Sequence, residues 1–174
     1  IVNALGGITV NNPVAFTASD GTYSYEAGDV YMDGSKALRF ARERYNLGGG
    51  DRDRGKNQMR VITGIINKAI SPSIITNYTS ILDAVSGSFQ TNMSNNEMTS
   101  LIKMQINDMS GWDIEQISVN GTGNASAWSP ANGFNSWVME PNVNTVKRAV
   151  EVMKKVENGE DVKALAQQVM EENT

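Results

Sequence analysis

Arg42-Glu43-Arg44-Tyr45-Asn46-Leu47-Gly48-Gly49-Gly50-Asp51-Arg52-Asp53-Arg54-Gly55-Lys56-Asn57-Gln58 runs out of one helix, through a glycine-rich loop and into another. Before it, Asp33 is placed to cap a short helix over about 34–41, with Ala37, Leu38 and Ala41 on one face. After it, Met59, Ile62, Ile65, Ile66 and Ala69 recur at helical spacing, which predicts a long helix over about 52–69 with those residues facing the core. Asp51 stands where the N-cap of that helix belongs. A helix N-terminus offers free backbone N–H groups and a partial positive charge, and glycines let the backbone approach a ligand closely. Together these features make an anion site. Arg54 and Gln58 are four residues apart and share one face of the first helical turns, while Arg42 and Arg44 point the same way if their segment is extended. The planar guanidinium fork binds phosphate oxygens in pairs. A competing reading has the arginines solvating the helix end and pairing with Glu43, Asp51 and Asp53. The loop is neither a P-loop nor a dinucleotide fingerprint.

Outward from this stretch, 8–10 reads as a short strand after Gly6-Gly7, 22–25 as a second, and 30–32 as a brief extended run. Ser71-Pro72-Ser73 should end the long helix, with another over about 74–85. A further helix over about 95–104 begins with Ser94 as cap and Glu97 completing a capping box. Residues 114–119 alternate as a strand should, 120–135 are rich in Gly, Asn and Ser and read as a loop, and Trp137-Val138-Met139 reads as a short buried strand. Pro141 is expected to open a helix over about 143–156, apolar at Val146, Val150 and Met153, and 161–171 reads as a peripheral amphipathic helix. Strands interleaved with helices predict an α/β or α+β sandwich.

Composition narrows the chemistry. The 174 residues are 40% hydrophobic and 20% charged, which suits one ordered domain. With no cysteine and no histidine, disulfides, thiol nucleophiles, Ser-His-Asp triads and His-ligated zinc are excluded. Any metal would need oxygen ligands, which favours magnesium, calcium or manganese. The net charge is −4, but Lys36, Arg39, Arg42, Arg44, Arg52, Arg54, Lys56 and Arg60 face only Glu43, Asp51 and Asp53 within 36–60, a local +5. A basic island on an acidic chain focuses anions at one place and is unlike the broad basic face of a duplex-DNA binder. Among the three tryptophans, Trp112 and Trp137 suit core or loop anchoring, whereas Trp128, in a polar loop, is the candidate for stacking on a sugar ring. The chain starts at Ile1 and holds no apolar run of membrane-spanning length, so its natural start, with any export signal or anchor, is expected upstream.

Three ordered motifs carry a resemblance to the LytR-CpsA-Psr family. Val2-Asn3-Ala4-Leu5-Gly6-Gly7-Ile8-Thr9-Val10 resembles its V-D-x-L-G-G-V-x-V pattern. The run from Met32 to Arg44 resembles L-x-G-x-x-A-L-x-Y-x-R-x-R, and Gly50 to Gln58 resembles G-D-x-x-R-x-x-x-Q. Trp137-Val138-Met139-Glu140-Pro141 is similar to a C-terminal strand of the streptococcal type. Asn3 stands where the family usually has aspartate, and Asn57 where arginine is usual before the glutamine.

The resemblance implies a three-layer α-β-α-like sandwich with a mixed sheet, here only partly present, with 1–157 as the C-terminal portion of the catalytic domain and 158–174 as a helical tail. It implies a phosphotransferase that moves a glycopolymer, capsule or teichoic acid, from undecaprenyl pyrophosphate to peptidoglycan and leaves a phosphodiester. The implied catalytic residues are Arg42, Arg44, Asp51 and Arg54. Arg42, Arg44, Arg54 and Gln58 would hold the pyrophosphate, and Asp51 would orient them. Magnesium or manganese is implied as cofactor, on aspartates of a family segment that this sequence does not contain. The implied setting is the outer face of the cytoplasmic membrane of a Gram-positive cell, reached through an N-terminal anchor, with no nucleic-acid partner. Because the family's first half is not in this sequence, the chain alone is expected to be inactive, or to work with that half as a separate chain. The alternatives are a non-catalytic module that binds polyprenyl pyrophosphate or wall polymer, and a transcriptional attenuator.

Overall fold

Apolar and polar residues alternate along Ile8–Asn12 (β1), so Ile8 and Val10 turn inward and Thr9 outward. In the computed structural model, which describes residues 1–75, 91–108 and 111–171, the chain divides into two compact units, Ile1–Trp112 and Asp113–Thr174. The first is built on β1. Short strands β2 (Phe16–Thr17) and β3 (Ser24–Tyr25) pair with each other, and β4 (Gly28–Met32) runs antiparallel to β1 with Ile8 opposite Met32 and Val10 opposite Val30. The expected strand over 22–25 keeps only its last two residues. Thr22 is diverted into a turn, where Asp20 Oδ1 accepts from its N–H at 3.1 Å and its hydroxyl at 2.6 Å.

Helix α1 spans Gly34–Arg42, and Asp33 caps it as expected by accepting from the Lys36 N–H at 2.8 Å. Its inner face is Ala37 and Phe40, whereas Leu38 is exposed, contrary to the sequence reading. Phe40 wins that position because its ring enters an aromatic cluster, 5.2 Å from the Tyr25 centroid and 5.4 Å from Phe16. The Tyr25 hydroxyl donates to Lys36 O at 2.9 Å, and burial pushes its pKa up to about 12. Ile8, Val10, Val30, Met32 and Val61 complete the core around these rings.

Helix α2 covers Asp51–Ala69 and α3 Pro72–Ile75; the rest of the helix expected over 74–85 lies outside the described residues. The face that α2 buries is Asn57, Val61 and Gly64, one step round from the predicted isoleucine stripe, and Ile62 is 45% exposed. Gly64 accounts for the rotation. A Cβ there would lie 3.0 Å from Thr9 O and 3.2 Å from Val10 Cγ2, so the missing side chain lets the helix press on β1. Helix α4 (Asn95–Asp108) carries the capping box foreseen in sequence. Glu97 Oε2 accepts from the Ser94 N–H at 2.7 Å, and Ser94 Oγ accepts from the Glu97 N–H at 3.3 Å.

In the second unit, 114–119 forms no strand. Its half-buried positions, Ile114 and Ile117, are three apart, a spacing that no pleated strand presents to one face. The expected loop over 120–135 is mostly strand instead: β5 (Gly121–Ser129) pairs antiparallel with β6 (Phe134–Pro141), with a bulge between Asn124 and Ala127. The overlooked signal is Asn132-Gly133, a hairpin dipeptide; Gly133 takes φ +71° and its N–H closes on Ser129 O at 2.9 Å. Trp137 and Met139, expected to be buried, are exposed on β6. Asn142, not Pro141, caps α5 (Val143–Glu157), whose buried residue is Ala149 while Val150 and Met153 are exposed. Helix α6 (Val162–Glu171) buries Leu165. Strands and helices thus interleave as the α/β reading required, with every described sheet a two-stranded antiparallel pair. Among the described residues no helix is long and apolar enough to cross a membrane.

Candidate functional site

The basic island occupies the corner where α1 ends and α2 begins. Arg42 is the last residue of α1, and Glu43, the C-cap, turns to extended backbone (φ −60°, ψ 135°). The chain then bends rather than running extended through Arg44. The bend is organised by the Glu43 carboxylate, which is 3% exposed despite its charge. Its Oε1 accepts from the N–H groups of Arg44 (2.9 Å), Tyr45 (2.8 Å) and Asn46 (2.9 Å), and its Oε2 from Ser19 (2.6 Å). Burial pushes this carboxyl up, but the four N–H donors outweigh that and hold it below its ordinary value. Asn46 Nδ2 donates to Thr17 O at 2.8 Å and fastens the far side of the bend.

Gly50 is the N-cap of α2, at φ +54°, a backbone region that favours glycine, so Asp51 is the first helical residue rather than the cap. Both acids of the first turn are engaged. Asp51 pairs with Arg54 through Oδ1 and Nη2. Asp53 accepts from Lys56 Nζ at 3.0 Å and reaches back to the Gly49 N–H at 2.8 Å; the lysine first and that N–H second hold its carboxyl below the ordinary value. Acidic residues here also complement the helix dipole.

A buried amide joins the two helices. Asn57 Nδ2 donates to Phe40 O at 3.4 Å, and Asn57 Oδ1 accepts from Arg60 Nη1 at 2.8 Å. Phe40 lies two residues before Arg42, and Asn57 lies beside Gln58 and three after Arg54. This link therefore sets the C-terminal end of α1 beside the first turns of α2. Arg42, Arg44 and Gln58 are exposed, Arg54 is half-buried, and the side chains of Arg42, Arg44 and Gln58 have no hydrogen-bond or ion-pair partner among the described residues. The suggestion that the arginines are spent on local acids holds for Arg54 with Asp51 but not for Glu43, which bonds only backbone N–H groups. Two residues that matter to the corner, Glu43 and Asn57, were not among the expected site residues. Buried polarity was the only signal that could have found them, and a sequence does not display it.

Three guanidiniums, an amide and a helix N-terminus can hold a doubly charged phosphate group and stabilise negative charge on a leaving phosphate. The acids of the corner do not fit a magnesium site: Asp51 and Asp53 are each tied to a cationic side chain, and among the described residues no group of three or more Asp or Glu is arranged to hold a metal.

Comparison with known proteins agrees with this corner's motifs. The model of the LytR_cpsA_psr family matches residues 1–157. A relative from Enterococcus faecalis, the polyisoprenyl-teichoic acid–peptidoglycan teichoic acid transferase TagU, is 38% identical over 124 residues, covering 71% of this chain and 39% of the relative. The chain thus spans about two fifths of that relative's length. Among solved structures, the Lin1025 protein of Listeria innocua superposes with a TM-score of 0.66 at 31% identity, covering 88% of this chain and 63% of that one. TagU of B. subtilis superposes with a TM-score of 0.63 at 27% identity, covering 88% and 58%.

Proposed function

The chain belongs to the LytR-CpsA-Psr family, and from that premise we propose that it holds the diphosphate of a polyprenyl-linked glycopolymer during transfer of the polymer to peptidoglycan. The product is a phosphodiester, and the polyprenyl phosphate leaves. Teichoic acid is the favoured polymer over capsule, because two relatives 38% identical to this chain are named for it. The reaction belongs at the outer face of the cytoplasmic membrane, where such a lipid carrier and the wall meet.

The observation that supports this reading is the Asn57–Phe40 link, which joins the end of α1 that carries Arg42 to the first turns of α2, with the side chains of Arg42, Arg44 and Gln58 unpartnered among the described residues. Arg42 and Arg44 approach from the end of α1, and Arg54 and Gln58 from the first two turns of α2. Asp51, through its ion pair, fixes the Arg54 guanidinium and acts as a positioning residue. These groups bind and orient the diphosphate and stabilise the charge that collects on the departing phosphate. The magnesium or manganese expected of the family would draw on carboxylates other than Asp51 and Asp53.

The test is binding of farnesyl pyrophosphate, a short soluble polyprenyl diphosphate, followed calorimetrically. The Arg42→Ala/Arg54→Ala double variant should weaken binding by ~100-fold or more, since each charge-assisted hydrogen bond contributes about 1.5–3 kcal/mol. An unchanged affinity in the double variant refutes the assignment. In a protein that also contains the family's first half, binding of a polyprenyl-pyrophosphate-linked polymer without its transfer to added peptidoglycan selects the non-catalytic module instead.

A further inference from the structure

We infer that Asp53 is a positioning residue of the diphosphate corner, pinning the glycine loop 48–50 to α2 and so ordering the path from Arg44 to Arg54. The inference rests on the diphosphate reading and adds to it a residue that acts through the backbone rather than on the phosphates. The segment between those two arginines is fastened at its start. There Glu43 Oε1 accepts from the N–H groups of Tyr45 and Asn46, and Asn46 Nδ2 donates to Thr17 O. Three consecutive glycines follow, the residues with the most backbone freedom to lose on ordering. The half-buried Asp53 closes on them from the first turn of α2. Its Oδ2 accepts from the Gly49 N–H at 2.8 Å, while its Oδ1 accepts from Lys56 Nζ at 3.0 Å.

Gly49 is matched to this carboxylate. A Cβ there would lie 2.7 Å from Asp53 Oδ2, so a larger residue would push the acid off the loop. Gly49 does not take a positive φ, so it is the close approach of Asp53, not a left-handed backbone, that calls for glycine at this position. Charge by itself argues against an acid here, because a carboxylate near a cluster that holds a diphosphate repels the ligand. Lys56 offsets that repulsion, and the bond to the loop acts in the opposite direction. A loop already ordered in the free chain need not be ordered on binding, which strengthens the complex. The two effects of Asp53, repulsion and ordering, therefore differ in sign and can be told apart.

The test is calorimetric binding of farnesyl pyrophosphate to the whole chain and its variants. Asp53→Ala removes a negative charge yet should raise the dissociation constant ~10-fold, because the loop is then ordered only on binding. Asp53→Asn keeps an acceptor for the Gly49 N–H and should bind within ~2-fold of the unsubstituted chain, or tighter. Gly49→Ala expels the carboxylate without changing any charge and should weaken binding as Asp53→Ala does. The Gly49→Ala/Asp53→Ala variant should be no weaker than either single one, since both break the same bond. Without ligand, exchange of the Gly49 amide should quicken in Asp53→Ala and stay slow in Asp53→Asn. Unchanged or tighter binding by Asp53→Ala overturns the inference, even if its thermal midpoint falls, because the acid is then only a helix cap. Losses that add in the double variant overturn it as well. Asp53→Asn binding as weakly as Asp53→Ala also overturns it, by assigning the effect to the ion pair with Lys56. If Arg42→Ala/Arg54→Ala loses binding and Asp53→Ala does not, the corner stands and the pin alone fails. If the arginine variant binds normally, the diphosphate reading fails and the role of Asp53 falls with it.

Discussion

Glu43 decides how the two neighbouring arginines are presented. In sequence it reads as their counter-ion; in the structure it is buried and gathers four backbone N–H groups, one of them from Ser19 across the unit. Replacing it with alanine strands those donors, and a loss of about 1–3 kcal/mol in urea unfolding of the first unit is expected. The sign of its pH dependence follows from the direction of its shift. A carboxyl held below its unfolded value stabilises the fold above that value, and the contribution fades as pH falls through the folded one. The protection of the Tyr45 and Asn46 amides, relative to their intrinsic exchange rates, should therefore fall in acid, below about pH 4.3, the unfolded value of a glutamate. Glu43→Gln should remove that dependence. An acid profile that Glu43→Gln leaves untouched would show that another group controls the bend.

At the scale of elements, α2 shows how an absent side chain can set a helix's orientation. Gly64 to alanine puts a methyl 3.0 Å from Thr9 O, and about 1–3 kcal/mol of destabilisation is expected, with shifted amide resonances along β1. The sequence reading placed α2 within a residue or so of its ends and had Ile65 against the core, but it misjudged the centre of the buried face, because it counted isoleucines and could not weigh a glycine and an asparagine as core residues. The capping box of α4 was legible because both partners lie within four residues of each other; Ser94→Ala should cost it about 0.5–2 kcal/mol and fray its first turn in amide exchange. The hairpin was obscured by its composition. Gly, Asn and Ser disfavour strands singly, and cross-strand pairing overrode that preference. The motifs around Arg42, Arg54 and Gln58 were legible as a pattern, while the bonds that shape the bend and join α1 to α2, through Glu43 and Asn57, depend on burial that only the fold creates.

Across the whole molecule, a local +5 sits within a chain of net −4. Such a distribution draws small anions to one corner while repelling extended polyanions elsewhere. Affinity for farnesyl pyrophosphate should fall steadily as sodium chloride is raised from about 0.05 to 0.5 M, a range over which screening of exposed charges strengthens. Duplex DNA should give no gel shift under the same conditions; a shift with steep salt dependence would restore the attenuator reading.

Asn57 has a consequence for how the corner behaves in acid. Its amide does not titrate, so the fastening of α2 to the end of α1 is indifferent to proton concentration. The bend that carries Arg44 is anchored by a group that does titrate. Acid therefore slackens the bend while the junction of the two helices keeps its place, so the corner would loosen on one side rather than through collapse of the unit.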